Sequence, residues 1–410
     1  MKIWVVRDLE PLQTDANNPR PMRAGMLAMT LAKRGHEVVW FTSSFNHYSK
    51  LHRCTQDCTI EIVPGLKAQV FKCLGYKSNI SLRRVAHNYQ FAHKFSRYCS
   101  RMADSELPDV ILADLPTTEA AKSAVKFGRK HSIPTILSIR DLWPDFFLRF
   151  LSPISRVPAY LGLAPMRYQV RYACANTTSL VGISKAYLAW GQAKGARVDT
   201  SNDRVFPLGA PKPITLSAAS VEENLRLLSI DSSKTLVVFI GSWGKTYDLE
   251  FLKNICLAMS KSKDIQFVIA GDYESQPELA KELASLENTV LPGWLNSEQI
   301  SAVLTRATIG LLPYMETAPQ GLPNKVFEYY AYGVFQIAFL EGEVSNFYKE
   351  TNAGLALTNR SMDYVCAELS KQIAVAKARK EALRAGFEKD FSADVVYTRM
   401  CMHIEDIVST

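Results

Sequence analysis

Short apolar runs alternate with longer amphipathic stretches along most of the chain. Ile3–Val6, Val38–Thr42, Val110–Ala113, Thr135–Ile139 and Leu180–Ile183 have strand length and are rich in apolar residues, so they predict buried strands. Between the first two, residues 23–34 place Ala24, Leu27, Ala28 and Leu31 on one helical face and stop at Gly35. Strand, loop, helix, strand is the βαβ unit of a parallel sheet. Pro207, Pro211 and Pro213, among Ala and Ser residues, predict a linker near 207–220. Strand-like runs then recur at 235–240, 265–270, 289–291 and 308–312, with helical stretches near 249–260, 276–286, 297–306 and 323–332. A last amphipathic helix is predicted over 393–407.

This pattern predicts an α/β protein of two doubly wound, Rossmann-like domains, residues 1–208 and 209–390, facing a cleft. The C-terminal segment, 391–410, has the amphipathy to pack back on the first domain or on the second. Ligands of such sheets bind beyond the carboxyl ends of the strands, so the loops there are where chemistry is expected.

Composition narrows the classes. A chain of 410 residues suits two cores, and 47% apolar against 21% charged residues exclude a disordered protein. No apolar run approaches the roughly 18–20 residues that span a bilayer. The apolar block at residues 3–6 is too short for a signal peptide, so a cytoplasmic protein is expected. The eight cysteines are scattered, which suits a reducing compartment. Cys54 and Cys58, with His47 and His52, offer one ligand pair and no second at finger spacing, so loop or buried thiols are expected and no metal.

Charge is uneven. Residues 1–210 carry 29 Lys and Arg against 15 Asp and Glu, and residues 211–410 carry 19 against 25. The basic half is suited to an anionic partner such as an acidic membrane surface, or it is a solvated basic surface. Its cations are dispersed without a recognised binding motif, so nucleic acid is not expected. Within it, residues 146–174 mix Phe146, Phe147, Phe150, Leu151, Leu161 and Leu163 with Arg149, Arg156, Arg167 and Arg171. That mixture suits an interfacial surface at the inner membrane face, or a helix pair with snorkelling arginines.

Two segments carry most of the chemistry. Gly241-Ser242-Trp243-Gly244-Lys245-Thr246 follows a predicted strand and resembles the end of a P-loop. A P-loop needs a glycine where this chain has Phe239, so a triphosphatase is excluded; the turn and Lys245 still suit a diphosphate. No Gly-x-Gly-x-x-Gly follows the first strand, which argues against a nicotinamide cofactor. The second segment runs from Gln320 to Gly333. Pro323 suits the first position of a helix and Gly333 its end. The helix N-terminus offers free N–H groups to an anion, and Lys325 and Glu328 share a face. These two either serve a ligand or form a surface ion pair.

Gly321-Leu322-Pro323-Asn324-Lys325-Val326-Phe327-Glu328-Tyr329 resembles the donor-binding motif of retaining glycosyltransferases of the GT-B fold, family 4. That motif has two glutamates; Glu328 matches the second, at the ribose, and Gln320 stands where the first is usual. The resemblance covers nearly the whole chain, through residues 32–38, Gly271-Asp272, Pro292-Gly293-Trp294 and Asn352-Ala353-Gly354. It implies a metal-independent transferase without a cofactor, taking a nucleotide sugar, uridine-linked, to a saccharide or lipid-linked acceptor in surface polysaccharide synthesis. Donor contacts are then expected from Gly241, Ser242, Gly293, Trp294, Gly321, Leu322, Asn324 and Glu328, with Lys245 and Lys325 at the leaving diphosphate. Arg140 and Asp141, after a first-domain strand, are the expected catalytic groups there, or a structural pair closing the strand. Asn18, Arg20 and Arg23, in the loop before the first helix, are weaker acceptor- or phosphate-side candidates. A nucleotide-sugar epimerase of the same fold is the alternative.

Overall fold

The computed structural model of the chain describes residues 1–410 apart from 17, 18, 20, 149, 150, 245, 316, 317, 319, 320 and 410, and apart from the side chain of residue 153. It divides into two units, Met1–Leu208 with Val396–Thr410, and Gly209–Val395.

The first unit is built from β1 (Lys2–Val6), α1 (Arg23–Lys33), β2 (Glu37–Ser43), β3 (Cys58–Val63), β4 (Leu66–Phe71), α2 (Leu82–Cys99), β5 (Val110–Asp114), α3 (Thr118–Lys130) and β6 (Thr135–Ile139). There follow α4 (Asp145–Leu148), α5 (Pro153–Gly162), α6 (Ala164–Asn176), β7 (Ser179–Gly182), α7 (Lys185–Gly195) and β8 (Arg204–Val205). The sheet order is β3-β4-β2-β1-β5-β6-β7-β8, parallel except that β3 runs antiparallel to β4. Strand β1 has β2 on one side and β5 on the other, so the order reverses there. The β3–β4 hairpin was not predicted. Its outer strand alternates exposed and half-buried residues, and Thr59 and Glu61 interrupt any apolar run. The central strands are buried on both faces, which is why they read as continuous apolar runs.

The second unit comprises α8 (Ala218–Leu227), β9 (Thr235–Ile240), α9 (Leu249–Ala258), β10 (Ile265–Ala270), α10 (Pro277–Ala284), β11 (Thr289–Val290), α11 (Ser297–Arg306) and β12 (Ala307–Leu312). After these come α12 (Asn324–Ala331), β13 (Phe335–Ala338), α13 (Glu343–Thr351), β14 (Gly354–Ala356) and α14 (Met362–Asp390). Its six strands, in the order β11-β10-β9-β12-β13-β14, are all parallel, and the order reverses between β9 and β12. Helix α14 was also not predicted. Its buried stripe of Val365, Leu369, Ala376, Leu383 and Phe387 is interrupted by Gln372 and Lys380. The Lys380 ammonium donates to the carbonyls of Thr305 and Ala307, and burial pushes its pKa down to about 8.

Residues 391–393 stay with the second unit, since Ala210 exchanges backbone hydrogen bonds with Phe391 and Ala393. The last helix, α15 (Ala393–Ser409), belongs to the first unit from Val396 onward. It buries Val396, Tyr397, Met400, Cys401 and Ile404 there. Glu405 meets Arg34 at 2.7 Å and His36 at 2.8 Å, and His403 Nε2 lies 2.9 Å from Ser179 Oγ. Among the described residues, no helix is long and apolar enough to cross a membrane.

Candidate functional site

In the second unit the strand order turns at β9, and the main chain of its last residue is held by α12 at both polar groups. The Ile240 N–H donates to Tyr329 Oη at 3.0 Å, and the Ile240 carbonyl accepts from Lys325 Nζ. Tyr329 reaches that position because Gly310 in β12 has no Cβ; a methyl there would overlap the tyrosine ring. A Cβ at Gly241 would stand 2.5 Å from Lys325 Nζ, the flexible end of that side chain, and would displace it. The start of α12 is thereby fixed at the carboxyl end of β9. Pro323 precedes the helix instead of opening it: its backbone is extended (φ −69°, ψ 149°), so it takes the N-cap position and Asn324 is the first helical residue. Among the described residues no side-chain cap is made at this terminus, which leaves its amides available to an anion. Gly333 follows the helix at φ +67°, as the sequence predicts.

Lys325 and Glu328 do not form the ion pair that their spacing allows. Burial lowers the Lys325 pKa, the Glu328 charge opposes it, and the ammonium turns to the Ile240 carbonyl. Glu328 is half-buried and makes no hydrogen bond or ion pair among the described residues. A carboxylate placed one turn into a helix without a protein partner is free to accept ligand hydroxyls.

The neighbouring loops are joined through glycines. Gly241 N–H donates to Ala270 O at 3.0 Å, and Gly271 N–H to Gly293 O at 2.9 Å. At φ +146°, Gly271 lies so close to the Gly241 carbonyl that a Cβ would overlap it. Ser242 is exposed, while Trp243 is buried and its ring packs on Tyr273 at 5.6 Å. The Trp294 indole is 75% exposed, a flat apolar plate at the end of β11. Gly321 and Leu322 are half-buried and Asn324 is exposed. The structure thus brings Gly241, Gly293, Lys325 and Glu328 into one contiguous rim. Lys245 and Gln320 lie outside the described residues.

The corresponding position in the first unit is filled by the protein itself. Glu10, after β1, accepts from the N–H of Ala24 at 2.7 Å and of Gly25 at 3.4 Å, so its carboxylate sits where an anion would meet α1. Arg140 contacts Glu10 Oε1 through Nη1 and Asp114 Oδ2 through Nη2, the latter at 2.7 Å, with its side chain 9% exposed. Burial disfavours this guanidinium, and the Asp114 and Glu10 carboxylates more than offset it, raising its pKa. Arg140 is thus held inside the first unit by two carboxylates, the partners that a buried cation needs. The predicted Arg140–Asp141 pair does not form. Asp141 is half-buried and makes no hydrogen bond or ion pair among the described residues; burial raises its pKa against Arg7, Arg140 and Arg84.

The Arg23 guanidinium donates to the carbonyls of Phe206 at 2.9 Å and Pro207 at 3.1 Å. Burial pulls its pKa down to about 10. Asn18 and Arg20 lie outside the described residues. Sequence reasoning missed the buried Asp8, Glu10, Asp114 and His87. Asp8 accepts from Thr117 Oγ1 at 2.9 Å and lies 3.3 Å from His87 Nε2. Burial would raise Asp8, but His87 and Thr117 outweigh it and hold its pKa low. For Asp8 and Glu10 the available signal was the charged stretch Arg7-Asp8-Leu9-Glu10 directly after the apolar β1.

The interfacial segment also differs from expectation. Phe146 and Phe147 are half-buried in a cluster with Trp143, whose ring lies 4.6 Å from Phe147. The exposed apolar groups belong to α5 instead: Ile154 at 88%, Val157 at 66% and Leu161 at 70%. Arg156 donates to the carbonyls of Leu148 and Leu151, Arg167 stacks over Tyr160 at 3.3 Å, and Arg149 and Phe150 lie outside the described residues.

Two Rossmann-like α/β units, one with an open helix terminus at its switch point, define a protein of the GT-B fold. Residues 234–373 match the family of glycosyl transferases group 1; this segment lies inside the second unit and holds Gly241, Gly293, Lys325 and Glu328. Comparison with curated proteins found no match. Among solved structures, sucrose-phosphate synthase from Thermosynechococcus elongatus is 13% identical with a TM-score of 0.69, over 100% of this chain and 99% of that one. HepE from Anabaena, in complex with UDP, is 14% identical with a TM-score of 0.65, over 99% and 100%. WaaG, a glycosyltransferase involved in lipopolysaccharide biosynthesis, is 14% identical with a TM-score of 0.63, over 98% of each chain. The structural likeness establishes the fold, and the family match supports glycosyl transfer.

Proposed function

We propose that the protein transfers a sugar from a nucleoside diphosphate, uridine-linked, to a hydroxyl of a saccharide or lipid-linked saccharide, retaining the anomeric configuration and using no metal. The observation that carries this is the double hold of α12 on Ile240, which presents Lys325, the amides of the helix start and Glu328, hydrogen-bonded to none of the described residues, together. Glu328 accepts the ribose hydroxyls, and Trp294 offers its face to the base. The amides of α12 and Lys325 stabilise the charge on the diphosphate as the sugar–phosphate bond breaks. Asp141 orients the acceptor hydroxyl. The neighbour HepE was crystallised with UDP and with UDP-glucose, which favours a uridine donor here.

The assignment of the donor to the second unit is supported by the first unit's own chemistry. Glu10 already occupies the N-terminus of α1, and a phosphate there would meet its negative charge. The first unit is therefore the acceptor side, and the exposed apolar face of α5 in a basic half gives it peripheral contact with anionic lipid.

Calorimetric titration with UDP and UDP-glucose tests the donor, followed by product analysis with and without saccharide acceptors. Binding of the nucleotide with acceptor-dependent sugar transfer is expected. No affinity for any nucleoside diphosphate overturns the proposal, and conversion of the donor alone into an epimer replaces it with the isomerase.

A further inference from the structure

Segments that follow β2, β4 and β6 in the first unit meet around the buried ring of Tyr76 and the guanidinium of Arg84. After β2, Lys50 Nζ lies 4.9 Å from the Tyr76 ring centroid, and His47 Nδ1 lies 2.7 Å from Tyr76 Oη. At the start of α2, the Arg84 guanidinium lies 5.4 Å from the Tyr76 centroid and 4.5 Å from that of Trp143, which follows β6. The carboxyl ends of parallel strands are where ligands of such sheets bind.

Two cations therefore share one aromatic ring, and neither makes an ion pair among the described residues. Arg84 is 8% exposed, yet it donates only to the Asn79 carbonyl, at 2.7 Å, and its Nε is buried without a partner. Lys50 Nζ donates to the side-chain oxygen of the same Asn79 at 2.6 Å. The buried side chains of Arg53, Arg140 and Arg197, by contrast, each meet a carboxylate. Aromatic faces attract a cation but do not accept its N–H groups as an oxyanion does. Of the nearby acids, Asp8 is taken by His87 and Thr117. Asp141 feels the Arg84 charge without pairing to it.

The loop holds Lys50 in a left-handed conformation, φ +58°, which a lysine rarely adopts. Asn46 fixes that turn: its carbonyl accepts the Lys50 N–H and its side-chain oxygen the Tyr48 N–H, both at 2.9 Å. Burial and the Arg84 charge lower the Lys50 pKa, so the two cations repel each other. Lys50 is half-buried and Tyr48 is 59% exposed, which opens this side of the cluster to solvent.

We propose that Arg84 and Lys50, joined through Asn79, receive the oxyanion of an acidic saccharide, a carboxylate or a phosphate. The anion takes the N–H groups that Arg84 leaves unused and relieves the repulsion between the two cations. That the saccharide is the acceptor rests on the transferase reading; its binding at Arg84 and Lys50 does not.

Calorimetry on the full chain with glucuronic acid, glucose-6-phosphate and glucose, each alone and in saturating UDP, tests the site. At least one acidic sugar should bind about tenfold more tightly than glucose, with an affinity that falls as salt rises. The tighter of the two assigns the oxyanion. Lys50→Ala should lower that affinity by about tenfold while the urea midpoint and UDP affinity stay in place. Arg84→Lys should keep part of the affinity and Arg84→Met none; if Arg84→Met does not fold, Lys50→Ala decides. Equal or undetectable affinity for all three sugars, binding that UDP abolishes, or binding unchanged in Lys50→Ala overturns the site. Acidic-sugar binding in a chain that transfers no sugar retains the site and removes the transferase reading. Transfer to neutral acceptors without acidic-sugar binding does the reverse.

Discussion

Tyr329 Oη accepts a hydrogen bond from the Ile240 amide at 3.0 Å, so a side chain of α12 completes the backbone of β9 where no neighbouring strand does. Tyr329→Phe leaves that buried N–H without an acceptor, at a cost of about 1–3 kcal/mol. The substitution should lower the urea midpoint and weaken UDP binding together, because it loosens the helix that carries Lys325 and Glu328. Unchanged UDP affinity in a destabilised variant would separate the clamp from the donor site.

Glu328→Ala should weaken nucleotide binding by about 1.5–3 kcal/mol, the size of a charge-assisted hydrogen bond, with little loss of stability because the carboxylate makes no hydrogen bond or ion pair among the described residues. Lys325→Ala and Lys245→Ala should each lower turnover. Transfer should persist in a chelator, and rescue by magnesium or manganese of an activity lost there would rule out the metal-free reaction.

Arg140 and Asp141 are adjacent but should behave differently. Arg140→Met removes the ion-pair partner of the buried Asp114 and leaves Glu10 with Arg7 at 3.7 Å and the α1 amides, which costs about 3–5 kcal/mol and shows as a lower denaturation midpoint. Asp141→Asn should leave that midpoint and the UDP affinity in place while kcat falls. A drop in UDP affinity instead would move Asp141 to the donor.

Co-sedimentation with anionic and neutral vesicles tests the α5 surface. Each basic group near an anionic membrane contributes about 1 kcal/mol, and the Debye length falls from about 10 Å at 0.1 M to about 3 Å at 1 M salt. Pelleting should need anionic lipid and fade with salt, and Ile154→Asp/Leu161→Asp should reduce it. Equal, negligible pelleting in all conditions points to a soluble acceptor.

The hold on α15 should depend on acid. Glu405 is kept at about 2 by hydrogen bonding from Arg34, against burial and with the help of His36. A depressed carboxyl pKa stabilises the fold above its unfolded value near 4.5, and the contribution disappears as pH falls towards 2. The group is largely solvent-screened, so Glu405→Gln should cost about 1 kcal/mol or less at pH 7. Wild type and variant should converge near pH 2. A gap that persists there would assign the effect to packing.

The sequence by itself determined the two α/β units, because strands buried on both faces must be apolar throughout and helices between them must carry a one-sided stripe. It also located the segment from Gly321 to Gly333, since a proline before a helix and a glycine after it act through local backbone geometry. The hairpin at Cys58–Phe71 and the helix Met362–Asp390 escaped because polar residues interrupt their apolar patterns. Side-chain partnership was decided only by the tertiary structure. Arg140 and Asp141 are one residue apart in the sequence, yet the first is held by carboxylates 130 and 26 positions away and the second makes no hydrogen bond or ion pair among the described residues. A buried charge takes its partner from whichever strand end the fold brings within about 4 Å, and that proximity is a property of the packed sheet rather than of spacing along the chain.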